Sequence, residues 1–456
     1  MFRTKSRRVT SSRSSSNLNE VTIEEDVRCA RILVLLTGGT MAMKPNAHGS
    51  LEPSAGYLAV QMRLMPELRE RRMPAYEVVE YSPLLDSGDF VPSDWQRIAN
   101  DVAAAHEDYD GFVVIMGTDT MAYTSSALSF MLEGLRKPVI LTGSMVPFAE
   151  AYSDARRNLV MAMIFAGCGS QVPEVCIFFG DKLLRGNRAT KVDALSLGAY
   201  DSPNFPPLAK VGVALNSRYD LVLRREPGEA FGPCSAFGAM ETKILVFRMI
   251  PGFDDAALLR CLEGDKLQAV VLELYGTGTA PARREGFIEA LRTAQRNGVL
   301  VVATTQCQRG GVVLCTYEVG RQLEEAGVVA AGDMTTEAAA TKLAYLFGRY
   351  KGDADKVRHL VGVSLRGELS HKDTYLRPFF EAQRNTPIAP NDGKVKPRSL
   401  SPPPHAPRRS DSKTDFVVDV KPPARGDRRG RLADVAAGLG LGLAVAFALS
   451  RAAKRA

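Results

Sequence analysis

Three short clusters of glycine and hydroxyl residues are the parts of this sequence best suited to chemistry: Thr37-Gly38-Gly39-Thr40, Gly117-Thr118-Asp119-Thr120 and Thr142-Gly143-Ser144. Each offers hydroxyls, the second adds a carboxylate, and the glycines let a ligand or another backbone come close. A threonine hydroxyl attacks a carbonyl carbon only when a base takes its proton. No histidine stands close enough in sequence to activate either threonine of the first cluster, so a base must come from elsewhere in the chain. Phosphate binding fits poorly. The pattern G-x-x-x-x-G-K-[ST] is absent, and so is the dinucleotide fingerprint after the first strand. A lone Gly-Gly would read as a turn; three such clusters in one domain read as a site.

Each cluster ends an apolar run, at residues 31–36, 112–116 and 139–141. In open parallel sheets a site forms outside the carboxyl ends of the strands, so these loops should converge. More apolar runs follow (EVCIFFG, ETKILVF, LQAVVLELYG, GVLVVATT), separated by helical segments such as TSSALSFMLEGL and REGFIEALRTAQRNG. Near-continuous apolar strands alternating with helices predict an α/β protein whose parallel sheets are covered on both faces. The stretch 217–239 lacks periodicity and reads as an interdomain link. The domains are therefore placed at about 29–222 and 243–378, joined by a linker at 223–242.

Composition narrows the functional class. The chain has 456 residues, 45% of them hydrophobic, enough for two domains with extensions. Its net charge of +7 resides in the tails. Residues 1–28 hold six Lys/Arg against four Asp/Glu, and residues 384–456 hold fifteen against six, leaving about −4 on residues 29–383. The folded part therefore lacks the basic surface that nucleic acid requires. Seven scattered cysteines without C-x-x-C suit a reducing, cytoplasmic compartment. Five histidines, none in H-E-x-x-H or paired with cysteines, leave no expected metal site.

The ends read differently from the middle. Residues 1–28 form a basic, Ser-rich extension with no apolar core of a secretory signal. Residues 379–431 are rich in Pro, Ser and Arg and cannot bury enough apolar surface to fold. Residues 435–449 carry no charge and would reach roughly 22 Å as a helix. With basic flanks that snorkel, 432–450 becomes a candidate C-terminal membrane anchor, followed by a basic tail at 451–456.

Longer blocks carry a resemblance. TGGT (37–40), DSGD (86–89), MGTDTMAYTSSALSFMLE (116–133), VILTGSMVP (139–147) and LLRGNRATKVDA (183–194) resemble type I, cytosolic-type L-asparaginases. YDSPNFPPLA (200–209), LYGTGTAP (274–281), TTQCQRGGV (304–312), AGDMTTEAAATKLAYL (331–346) and LRGELS (365–370) fit as well. The similarity is co-linear from about residue 30 to 371 and does not enter the tails. It implies a cofactor-free amidohydrolase that converts L-asparagine to L-aspartate and ammonia through a threonine nucleophile and an acyl-enzyme. The fold it implies has a larger N-terminal parallel-sheet α/β domain and a smaller C-terminal α/β domain. The assembly it implies is a homodimer or homotetramer with intersubunit active sites.

Matched motif to motif, Thr40 is the nucleophile, and Thr118 with Lys191 forms the second half of the machinery, Lys191 accepting or relaying a proton. Asp119 holds the substrate ammonium; Ser87 and the backbone of Gly88 hold its α-carboxylate. Thr305 and Cys307 match a regulatory asparagine site. Taken singly, these residues have plainer readings. Thr118 and Thr120 could bond turn backbone, Asp119 could cap a helix starting near Ala122, and Lys191 is one lysine among many. Only the co-linear set lifts them above that.

The chain also departs from the family pattern. Ser50 stands where a flap tyrosine is expected, and Tyr57 replaces it only if the flap runs differently. Thr279 stands where an asparagine reaches into the neighbouring subunit. Glu273 replaces an arginine that accompanies Thr305 and Cys307, so asparagine activation should be weak or absent. Two rival readings follow: a non-catalytic, membrane-tethered amino-acid-binding protein of this fold, and a tRNA-dependent amidotransferase subunit. The second would carry an added N-terminal barrel, for which 28 residues are too few.

Overall fold

The structure is a computed structural model that describes residues 30–168, 171–223, 232–252, 256–263 and 267–371. The N-terminal extension, the Pro/Ser/Arg-rich segment and the candidate anchor at 432–450 lie outside the described residues. Among the described residues, no helix is long and apolar enough to cross a membrane.

The N-terminal domain is built on an eight-stranded sheet. Its strands are β1 (Arg31–Gly38), β2 (Ala75–Leu85), β3 (Gly111–Ile115), β4 (Val139–Thr142), β5 (Val175–Phe179), β6 (Lys182–Arg185), β9 (Ala209–Val211) and β10 (Leu215–Ser217). Between β6 and β9 lies a separate two-stranded ribbon, β7 (Thr190–Lys191) and β8 (Tyr200–Asp201). The order across the large sheet is β10-β9-β6-β5-β4-β3-β1-β2. Alternate residues of β1 belong to different cores: Ile32, Val34 and Leu36 pack on one face, Leu33 and Leu35 on the other. That two-sided burial explains why the strand is apolar throughout.

The sheet is parallel at its centre, as expected, and antiparallel strands extend it along one edge. From β2 to β5 all pairings are parallel, but β6 runs antiparallel to β5. Phe179 pairs with Lys182 across a tight turn at Gly180, whose φ of 61° suits glycine. A two-residue turn can only reverse the chain. β2 was also absent from the apolar runs: it is an edge strand whose burial alternates, so its sequence alternates too.

Four helices in this domain matter for the site: α1 (Tyr57–Leu64), α2 (Pro92–Ala105), α3 (Met121–Met131) and α4 (Ala155–Ala166). α3 is buried along nearly its whole length and carries no charge. Its hydroxyls are satisfied internally: Thr124 accepts from Trp95 Nε1 at 3.0 Å, and Ser125 donates to Gly186 O at 2.8 Å. Ser126 bonds Thr341 of the C-terminal domain at 2.7 Å.

The smaller domain holds a four-stranded parallel sheet, β11 (Ile244–Arg248), β12 (Ala269–Leu274), β13 (Leu300–Thr305) and β14 (Val329–Ala330). Helices α5 (Phe287–Arg296) and α6 (Thr336–Arg349) pack on opposite faces of it. Parts of the stretch 217–239 are described, and residues 224–231 lie outside them. Tyr219, Leu221 and Val222 pack on the N-terminal core, and Ser235–Ala236 pairs antiparallel with Leu132–Glu133 after α3. Arg185, itself paired with Glu174 at 2.6 Å, donates to Leu221 O.

Candidate active site

β1, β3 and β4 are parallel neighbours, so their terminal clusters meet at one edge of the sheet. Thr37 is structural: its buried hydroxyl donates to Ile115 O at 3.0 Å. Thr142 does the same to Phe178 O at 2.9 Å. The glycines exist for close approach. A Cβ on Gly39 would sit 2.2 Å from Gly117 N, and one on Gly117 would sit 2.6 Å from Ser87 Oγ. Gly39 also has φ of 86°, which only glycine adopts readily. Thr40 follows at the start of a single 3₁₀ turn, half-buried, while Met41 and Ala42 anchor the turn in the core. Thr40 makes no side-chain hydrogen bond to Thr118 or Lys191 among the described residues.

The second cluster is tightly connected. Lys191 Nζ donates to Thr118 Oγ1 at 2.8 Å and pairs with Asp119 Oδ1 at 2.7 Å. The Asp119 backbone N–H donates to Ser87 Oγ at 3.3 Å, and Thr120 Oγ1 donates to Ser87 O at 2.7 Å. Thr118 is buried, whereas the Asp119 side chain is 71% exposed. Asp119 does not cap α3: the N-cap is Thr120, without a side-chain cap bond. The structure thus brings Thr118, Asp119, Ser87 and Lys191 together. Ser87 is almost fully buried, and the Gly88 N–H already donates to Asp86 Oδ1 at 3.2 Å.

Residues that sequence reasoning did not single out hold Lys191 in place. Lys191 pairs across the ribbon with Tyr200, whose hydroxyl donates to Thr118 O. Burial, and then the charges of Asp119 and Glu337, hold the Tyr200 phenol far above its ordinary range, so it stays a donor. Arg188 lies on the same segment and is buried in an ion pair with Asp333 at 3.0 Å, also donating to Glu368 O at 2.8 Å. Thr190 bonds Glu337 of α6. All sit inside the quoted blocks, and their only sequence signal was that membership.

The remaining candidates lie elsewhere. Thr305 Oγ1 donates to Gly276 O at 2.6 Å and accepts from Cys307 N at 3.1 Å. Glu273 pairs with Arg248 at 3.4 Å and accepts from Thr336 Oγ1 at 2.7 Å, so the neighbouring strand supplies a cation beside it. Ser50 is exposed in the turn of a hairpin, Met43–Pro45 with Leu51–Pro53, where its N–H donates to Asn46 Oδ1. Tyr57 starts α1, packs on the core and carries the Lys44 ammonium 3.9 Å from its ring centre. Thr279 bonds within its own loop, to Tyr275 O at 3.3 Å. Among the described residues, no group of three His, Cys, Asp or Glu is arranged to hold a metal.

Two α/β domains with threonine-bearing loops at the carboxyl edge of the larger sheet define a class, and comparison with known proteins narrows it. The description "Asparaginase, N-terminal" matches residues 31–223, and "Glutaminase/Asparaginase C-terminal domain" matches residues 243–361. The chain is 41% identical over 343 residues to L-asparaginase 1 of Escherichia coli (strain K12), covering 75% of this chain and 98% of that protein. It is 39% identical over 360 residues to 60 kDa lysophospholipase of Mus musculus, covering 75% of this chain and 62% of that protein. The solved structure of L-asparaginase I from Vibrio cholerae O1 biovar eltor str. N16961 aligns with a TM-score of 0.68 and 37% identity, over 75% of this chain and 100% of that one. The chain belongs to the asparaginase family.

Proposed function

We propose that this protein is an L-asparaginase that releases ammonia and L-aspartate, with Thr40 as nucleophile. The observation that carries the reading is the Lys191–Thr118–Asp119 cluster, at 2.8 and 2.7 Å, beside the turn that presents Thr40. In this reading the Thr40 hydroxyl attacks the side-chain amide carbon, ammonia leaves, and water cleaves the resulting acyl ester. Thr118 and Lys191 relay the protons. The exposed Asp119 carboxylate receives the substrate ammonium, which then shares the charge that Lys191 alone meets in the free enzyme. Ser87 and the backbone of Gly88 face the α-carboxylate, the latter only after Gly88 N–H leaves Asp86. Backbone N–H groups near Thr40 and Thr118 stabilise the oxyanion, a role worth about 3 kcal/mol in comparable sites.

The finer parts of the reading rest on the family and the sequence. Subunits assemble with the site at their interface, with Thr279 at the position that reaches across. Thr305 and Cys307 belong to a separate regulatory position. The segment 432–450 tethers an otherwise cytoplasmic enzyme to a membrane, which fractionation with and without residues 432–456 tests.

The deciding experiment is incubation of the full chain with L-asparagine and with lysophosphatidylcholine. Ammonia release without fatty-acid release supports the proposal. Fatty-acid release alone would reassign the site to ester hydrolysis, and neither product would favour a non-catalytic binding protein.

A further inference from the structure

The catalytic strand is short and is held from outside its own domain. β7 has only two residues, Thr190 and Lys191, and successive side chains of a strand point to opposite faces. Lys191 faces Thr118 and Asp119. On the other side, Thr190 Oγ1 donates to Glu337 Oε1 at 2.6 Å. Glu337 lies in the first turn of α6, in the C-terminal domain, and is half-buried. Its negative charge is felt at Tyr200, across the ribbon from Lys191, and at Tyr123 near the start of α3. The carboxylate therefore stands behind the part of the site formed by Thr118 and Lys191. Glu337 makes no ion pair among the described residues, so the Thr190 hydroxyl is its specific partner.

A half-buried carboxylate without a cation costs desolvation energy, and a Thr–Glu bond adds little stability in return. The arrangement makes sense if the bond sets geometry. A ribbon with one pair of residues on each strand cannot fix the direction of a long lysine side chain alone, and displacement of a proton-relaying group by about 1 Å can cost about a hundredfold in rate.

We infer that Glu337 is a positioning residue: through Thr190 it holds β7 so that Lys191 points at Thr118, and the C-terminal domain thereby tunes the chemistry of the N-terminal one. The inference rests on the proposed role of Lys191. It needs only an acceptor oxygen at this position, so Glu337→Gln keeps the function and Glu337→Ala loses it.

The test measures kcat and KM for asparagine, with thermal melts and the folded fraction, for Glu337→Ala, Glu337→Gln, Thr190→Val and the double variant Glu337→Ala/Thr190→Val. Expected is a kcat loss of about tenfold or more per folded molecule in Glu337→Ala and Thr190→Val, with KM nearly unchanged. Glu337→Gln should retain activity within about threefold, and the double variant should be no worse than the worse single one. The inference is overturned by wild-type kcat in Glu337→Ala, by a loss accounted for by unfolded protein, by Glu337→Gln as poor as Glu337→Ala, or by additive losses. Lys191→Ala is assayed alongside. An active Lys191→Ala removes the proposed role of Lys191 on which this inference rests and overturns both, whereas an inactive Lys191→Ala with an unaffected Glu337→Ala overturns this inference alone.

Discussion

Lys191 Nζ and Thr118 Oγ1 lie 2.8 Å apart although the residues are separated by 73 positions in the chain. The bond joins the β7–β8 ribbon to the loop after β3 and adds a lysine to the Gly117–Thr120 cluster. Replacing Thr118 by valine preserves its shape and removes the hydroxyl. Ammonia release should fall by about a hundredfold or more, the scale of a lost proton-transfer partner, while the circular dichroism spectrum stays that of the wild type. Activity within threefold of wild type would remove Thr118 from the mechanism.

Gly117 packs so closely on Ser87 that it leaves no room for a side chain. Gly117→Ala places a methyl group 2.6 Å from Ser87 Oγ and 2.7 Å from Ser87 Cβ, so Ser87 must move. Overpacking of this kind costs about 1–3 kcal/mol. Because Ser87 is proposed to face the α-carboxylate, KM for asparagine should rise about tenfold, corresponding to about 1.4 kcal/mol of binding. An unchanged KM would detach Ser87 from substrate recognition.

Glu273 sits beside the Thr305–Cys307 position with its charge met by Arg248. An amino-acid effector would bring a carboxylate toward an existing carboxylate. Initial rates of the purified enzyme should therefore follow a simple hyperbola in asparagine concentration. A sigmoidal curve would contradict this.

His106 provides a pH-dependent contribution to stability. Its side chain is 1% exposed, its Nδ1 faces Glu107 Oε1 at 3.2 Å, and its Nε2 accepts the Arg136 N–H at 3.3 Å. Burial, with help from Lys137 and Arg136 and against Glu107, lowers its pKa below the ordinary 6.5. The unfolded chain thus binds this proton more readily than the folded one. The contribution is present above pH 6.5 and is lost as pH falls through the depressed folded value. Tm should drop on going from neutral to mildly acidic pH, and His106→Gln should flatten that part of the curve. An identical slope in the variant would contradict the assignment.

Much of this site was legible before the structure, and the reason is local. The turns at Thr37–Thr40, Gly117–Thr120 and Thr142–Ser144 follow buried strands, whose uninterrupted apolar runs betray them. β2 was not legible that way, because an edge strand alternates. The reversal at Gly180 was hidden because Phe179 and Lys182 end and begin strands that look alike in a parallel or an antiparallel sheet. The start of the segment 217–239 shows no local pattern because its contacts, Arg185 to Leu221 and Glu174 to Leu223, come from residues distant in sequence. Arg188, Tyr200 and Glu337 escaped for the same reason: their roles depend on partners more than 80 or 140 positions away, which no local pattern records.

The central claim is that Thr40 carries the acyl group, and rapid-quench mass spectrometry tests it most directly. Wild-type protein mixed with L-asparagine and quenched in acid should carry one aspartyl group on the peptide containing Thr40. Thr40→Ala should be folded, unlabelled and unable to release ammonia. An aspartyl group on another residue, or a Thr40→Ala protein that turns over at the wild-type rate, would contradict the account.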